Sequence, residues 1–267
     1  MIYFDAHVHI QDLFSLDVFL KKSLENFSQQ MSQSQVNCSG TFFLLLTEGK
    51  AHDYFSLLQK EVTERTDILP QSWKIEGTQE GESLLFSHKD WPGARLFVVA
   101  GRQIVTTERL EVLALGTASK FDDGGALVAT INCVREGQGL AVVPWGAGKW
   151  LGKRGKLVNT LIETADSENL FMGDNGGRPV FWPAPATFAL AAKRGIRLLS
   201  GSDPLPLAEE EQRAGSFGGF VSGECTNDTP FADLKKLLTD QSVPITSFGS
   251  KQGIVRFFKT QIGLRLK

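Results

Sequence analysis

The chain has little of what would let cross-links, charge or a membrane organise it. Its 267 residues include only three cysteines, Cys38, Cys133 and Cys225, widely separated and odd in number. They form no Cys-x-x-Cys metal spacing and no disulfide framework, and read as reduced thiols. No apolar run approaches the roughly 20 residues that span a bilayer. The first residues, MIYFDAHVHI, lack a basic segment followed by an apolar stretch, so neither membrane association nor a signal peptide is expected and a cytoplasmic location is. Net charge is −2, with a pI near 6.1. Such a balance gives no electrostatic reason to expect a nucleic-acid partner.

What is present suits one ordinary globular unit. Residues are 42% hydrophobic and 22% charged, and no repeat or low-complexity linker marks a boundary, so a single domain over 1–267 is expected. Apolar strand-like runs alternate with amphipathic stretches. Tyr3–Ile10 reads as a strand, and Leu16–Gln30 as a helix through Leu16, Phe19, Leu20, Leu24 and Phe27. Gly40–Thr47 is a continuous apolar strand, and His52–Glu64 a helix.

Between Trp73 and Gly116 short strands at Trp73–Thr78, Ser83–Ser87, Leu96–Val99 and Leu110–Leu115 form a β-rich excursion with a hairpin. Alternation returns with Ala126–Glu136, Leu140–Pro144, Lys156–Ala165, Leu170–Met172, Ala184–Lys193 and Arg197–Ser200. Helices at Phe231–Thr239 and Lys251–Gln261 end the pattern. Alternating strands and helices predict a parallel sheet with its site at the strands' carboxyl ends, and favour a barrel.

Two of only four histidines, His7 and His9, sit with Asp5 at every second position of the first strand. A regular strand would point all three to one face. Imidazoles roughly 6.6–7 Å apart along a strand can converge on one ion about 2.0–2.1 Å from each nitrogen. Asp5 would then orient a ligand from behind or join the coordination.

These residues and others along the chain resemble the polymerase and histidinol phosphatase (PHP) family of metal-dependent phosphoesterases. The likeness rests on DAHVHI at Asp5–Ile10, LLLTE at Leu44–Glu48, AGRQIVTTERLEVLALG at Ala100–Gly116, GQGLAVVP at Gly137–Pro144 and GSD at Gly201–Asp203. It implies an α/β fold, a distorted TIM-like (β/α)7 barrel with a β-hairpin excursion, and a multinuclear metal centre. Several ligand positions depart from the family pattern. Glu48 stands for an Asp, Gly49 for a His, Gln103 for a Glu, and Trp145 and Leu205 for the two remaining histidines.

A neutral Gln and an apolar Trp cannot supply the charge that holds further ions. The resemblance therefore implies a reduced site of about one divalent transition ion (zinc, manganese or iron) on His7, His9 and Asp203, with Glu48 as a fourth ligand. Asp203 and Glu48 are the catalytic candidates, and Asp203 could be ligand or general base. The expected substrate is a small anionic molecule, a phosphoester first. A barrel protein that binds without catalysis, or an amidohydrolase cleaving C–N or C–O bonds, are the alternatives.

Gln103, Trp145, Lys149, Asp174, Asn175 and Arg178 are candidate substrate contacts. Lys149 lies on a Gly-rich loop extended by Lys153 and Arg154, where it either binds an anion or a bridging carbamate or stands solvated. Arg178 has the planar fork that suits phosphate, or else belongs to a Gly-rich turn. Trp150 and Trp182 read as packing more than as a pocket wall. His52, at a helix start, either takes the place of the His absent at position 49 or caps and faces the surface, and His88 reaches the site only if the excursion folds over it.

Overall fold

The computed structural model describes residues 1–33 and 40–263; Cys38 lies outside them. The strands fall into two mixed sheets. In the larger, β1 (Ile2–Val8) and β2 (Thr41–Leu46) pair in parallel, and β2 pairs in parallel with β5 (Arg95–Val99). β4 (Ser83–His88) and β3 (Trp73–Gly77) extend that edge antiparallel. On the other side of β1 run β11 (Phe217–Val221) and β12 (Thr246–Gly249), also antiparallel. The smaller sheet orders β10 (Arg197–Gly201), β9 (Leu170–Asn175), β8 (Leu140–Pro144), β7 (Glu111–Leu115) and β6 (Gly101–Val105).

This corrects the expected TIM-like (β/α)7 barrel: no ring of ladders closes among the described residues. The sheets meet at two seams instead. At one, β10 runs beside β1 with no ladder between them, and the Asp203 N–H donates to the His7 carbonyl at 2.8 Å. At the other, where the chain passes from β5 into β6, an isolated bridge between Glu48 and Arg102 joins the β2 side to β6, with no continuous ladder there among the described residues. The excursion's strands β3 and β4 extend the edge of the larger sheet.

Three apolar layers follow from this arrangement. The helices α1 (Leu16–Gln33) and α2 (Tyr54–Glu64) cover the larger sheet, with Phe19, Leu20, Leu24 and Phe27 buried as the helical spacing predicts. The helices α3 (Leu127–Glu136), α4 (Gly152–Thr164) and α5 (Ala186–Lys193) cover the smaller one. Between the sheets, Phe4, Phe43, Phe97, Leu113, Val142 and Phe171 interdigitate, and α6 (Pro230–Thr239) closes that layer with Phe231, Leu234 and Leu238. A last helix, α7 (Ile254–Gly263), follows β12. No helix among the described residues is long and apolar enough to cross a membrane.

Strand β1 does not keep a regular alternation. Its register against β2 shifts between Asp5 and Val8. Tyr3 lies in the layer under α1, and so do Val8 and Ile10, whereas Phe4 and Ala6 lie between the sheets. The irregularity separates Asp5 from the two histidines, so the single shared face is corrected. Bulges re-aim side chains in this way beside functional sites.

Three strands escape the sequence pattern. β11 (FGGFV) resembles a turn because of Gly218 and Gly219, yet both glycines are needed where the strand passes the backbone and ring of Phe4. β12 is too short and polar to read, and β6 shows no period of its own because the chain changes sheets at Ala100–Gly101, so only the PHP likeness of Ala100–Gly116 implied a strand there. A Cβ at Gly101 would collide with the Leu46 carbonyl and stand 2.7 Å from that of Ala114.

Gly201 carries a similar constraint at the β1–β10 seam, where a Cβ would run into the N and Cβ of His7. Gly201→Ala is expected to cost about 1–3 kcal/mol by overpacking and to displace His7. Chemical denaturation and metal titration check this together, and unchanged values in both would remove the constraint.

Candidate metal centre

The seam brings three ligand atoms together. His7 Nε2 and His9 Nε2 are 3.1 Å apart, and each faces Asp203 Oδ1, at 3.5 and 3.4 Å. Tetrahedral ligands at about 2.0–2.1 Å from an ion stand about 3.3–3.4 Å from one another, so this triangle has the size of one tetrahedral face. Gln103 Oε1 lies 3.2 Å from His7 Nε2, the same spacing again. Among the described residues, His7, His9 and Asp203 are the one group of three or more His, Cys, Asp or Glu with ligand atoms within 4.8 Å of one another. The trio could hold a metal ion.

Backbone geometry holds Asp203 in place. Its φ is 50°, in the left-handed region, which Asp tolerates better than most residues, although Pro204 follows and restricts it further. Asn175 Nδ2 donates to Asp203 Oδ2 at 2.5 Å, and the Asn175 amide is itself fixed by the Gly177 N–H donating to its Oδ1 at 2.6 Å. One carboxylate oxygen is thus tied and the other is left in the triangle.

Electrostatics favour the metal-binding forms of His9 and Asp203. Burial, then the neighbouring His7, pushes His9 down to about 4, with Asp203 opposing. Burial alone would raise the Asp203 carboxyl, but His7, His9, Asn175 and Arg213 outweigh it and hold it below the usual range.

Asp5 lies behind this group. Its Oδ1 accepts from the N–H groups of Ser202 at 2.8 Å and His7 at 3.2 Å. Its Oδ2 accepts from the Ser202 hydroxyl at 2.5 Å and the Gly215 N–H at 2.8 Å. Burial nevertheless pushes this carboxyl up to about 6. Asp5 holds backbone on both sides of the trio, including the residue next to Asp203, and does not enter the ligand set.

Glu48 is not brought to the trio. Its Oε1 accepts the N–H groups of Tyr54 and of Phe55 (3.3 Å), which caps α2, and its Oε2 faces Arg102 at 3.6 Å. Burial raises this carboxyl despite Arg102. Asp174 and Arg178 likewise answer each other. The Arg178 fork donates to Asp174 at 2.8 and 2.6 Å in a buried pair, with a further bond to the Trp182 carbonyl. That fork supports the wall and does not reach the cavity.

An open cavity of about 450 Å³ adjoins the trio, lined among others by His9, Gln103, Trp145, Lys149, Asn175 and Asp203. Leu205 and His52 reach it too, and the His52 ring stacks on Tyr54. Trp145 meets Trp182 edge-on, while Trp150 packs against Phe188. His88 sits between Trp73 and Trp91 on the far hairpin. Arg154 binds the Gly148 carbonyl at 3.0 Å, and Lys153 is exposed.

The sequence reading missed Glu111. It lines the cavity, pairs with Lys149, and accepts from Gln103 Nε2 at 3.4 Å. Its position at the start of β7 in the hairpin gave the only signal. Gln252, Phe257 and Thr260, which bring the α7 region to the cavity rim, gave none.

An α/β chain with a trio able to hold a metal is the class that fold and site define. Comparison with solved structures supports the fold. PsfC from Pseudomonas syringae PB-5123 superposes with a TM-score of 0.58 at 15% identity, over 99% of this chain and 98% of its own. The lesion-specific endonuclease PfuEndoQ from Pyrococcus furiosus gives 0.57 at 12% identity, over 93% of this chain. The match spans 58% of the endonuclease's own length. No family model and no curated protein matches the chain.

Asp5→Asn would set an amide donor against N–H and O–H donors already aimed at the carboxylate. A loss of about 1–3 kcal/mol in unfolding free energy is expected, along with weaker metal binding because Ser202 and Asp203 shift. Full affinity in a folded Asp5→Asn protein would show that the Asp5 anchor does not position Asp203.

Proposed function

We propose that this chain is a metal-dependent hydrolase of anionic esters, phosphoesters first, distantly allied to the PHP family. Support comes chiefly from the triangle of His7 Nε2, His9 Nε2 and Asp203 Oδ1, with sides near one tetrahedral edge. One zinc, manganese or iron ion suits two imidazoles and a carboxylate, with the neutral Gln103 oxygen as a weak fourth donor. Such an ion, when bound, supplies Lewis-acid polarisation and an acidified water.

The chain's own groups have separate tasks. With Asp203 Oδ2 held by Asn175 and Oδ1 in the triangle, Asp203 serves as ligand in preference to general base. Lys149, held by Glu111 at the cavity wall, offers an ammonium to a non-bridging oxygen of the substrate. Gln103 links His7 to Glu111 and so couples the ligand set to that ion pair. Trp145 supplies an apolar wall to the leaving group. In the hydrolysis, water oxygen bonds to phosphorus as the ester P–O bond breaks, and the leaving oxygen takes a proton.

Elemental analysis of the untagged protein is expected to find about one transition-metal ion per chain. His7→Ala combined with His9→Ala is expected to remove both the ion and turnover, and retention of metal by that double variant would sink the site. Asp203→Asn is expected to lower kcat/KM on a phosphoester panel at least about 100-fold, since one of three ligands loses its charge. If the metal-loaded wild type turns over no phosphoester, the binding-protein alternative gains.

A further inference from the structure

A second cavity, of about 480 Å³, opens beside the first. The two share Gln252, and the consecutive Gly176 and Gly177 line one cavity each, so the cavities adjoin along this segment. Three cationic side chains, Arg213, Lys251 and Arg256, line the second cavity together with Ser216 and Ser250.

Its charge is poorly balanced. Arg213 and Arg256 share a single carboxylate, Glu210, at 2.9 and 3.0 Å. Lys251 has no carboxylate partner among the described residues. Arg213 is only 7% exposed, yet one terminal nitrogen passes so close to Gly176 that a Cβ there would stand 3.1 Å from it. Arg213 also acts on the Asp203 carboxylate across the dividing segment, so two guanidiniums and an ammonium face two carboxylates and one positive charge is left over.

We infer that this pocket is a second anion subsite, and that it takes a phosphate group of the same molecule whose scissile ester lies at His7, His9 and Asp203. The inference rests on the hydrolase reading for the second half of that statement only. It narrows the substrate class to molecules carrying two anionic groups, such as a phosphodiester with a further phosphate. Arg forks suit the bidentate recognition of such a group, and Lys251 adds a point charge.

Two measurements separate the subsite from the chemistry. In the first, the metal-free protein is titrated with inorganic phosphate while the backbone amide signals of residues 249–253 are followed. Saturable shifts are expected there, with affinity falling about tenfold in Lys251→Glu, a change of about 1.4 kcal/mol. Absence of shifts, or an unchanged affinity in the variant, overturns the subsite.

In the second, metal-loaded protein is given a thymidine dinucleotide with and without a terminal phosphate. A ratio of kcat/KM near ten in favour of the phosphorylated form is expected, falling toward one in Lys251→Glu. Phosphate binding without that preference would assign the pocket to a separate anion and overturn the substrate claim. If neither dinucleotide is cleaved, the hydrolase reading fails for phosphodiesters, the two-anion substrate falls with it, and the phosphate titration alone decides whether the pocket binds an anion.

Discussion

One buried carboxylate holds the site together. Asp5 accepts four hydrogen bonds, from β1 itself, from both donors of Ser202, and from Gly215 ahead of β11. These tie three chain segments that no ladder connects as a group. Hydrogen bonds to a charged acceptor are worth roughly 1.5–3 kcal/mol each, against a substantial cost of removing that charge from water. The cost is visible in the Asp5 carboxyl, pushed up to about 6 by burial. A deep anion with four donors fixes where Ser202 stands, and through it where Asp203 must turn.

The open seams explain why the site lies where it does. A closed ring of ladders would satisfy the ends of β1, β2, β6 and β10 with one another. Here β1 and β10 approach through a glycine, and β2 reaches β6 only around Glu48, whose N–H donates to the Gly101 carbonyl while its own carbonyl accepts from Gln103. Side chains that leave these strand ends, His7, His9, Gln103 and Asp203, converge beside the cavity between the seams. Glu48 and Arg102 hold one wall and Asp174 with Arg178 another. Their charges are spent on each other and on helix α2, which leaves Lys149 and Glu111 to face a ligand.

The sequence alone carried the strands and helices of strong period and the His-x-His strand, because alternation and helical spacing are local patterns. The meeting of His7, His9 and Asp203 in one centre came from the likeness of DAHVHI and GSD to the PHP motifs, and no spacing within the chain encodes it. The order of strands, the two seams, the slip in β1 and the tasks of Glu48, Asp174 and Arg178 were decided only by the tertiary structure. Whether a carboxylate or guanidinium faces a cavity or another side chain depends on partners far away in the chain, and no local spacing encodes that choice. Glu111 and Arg213 were overlooked for the same reason, since each acquires its place from a distant neighbour.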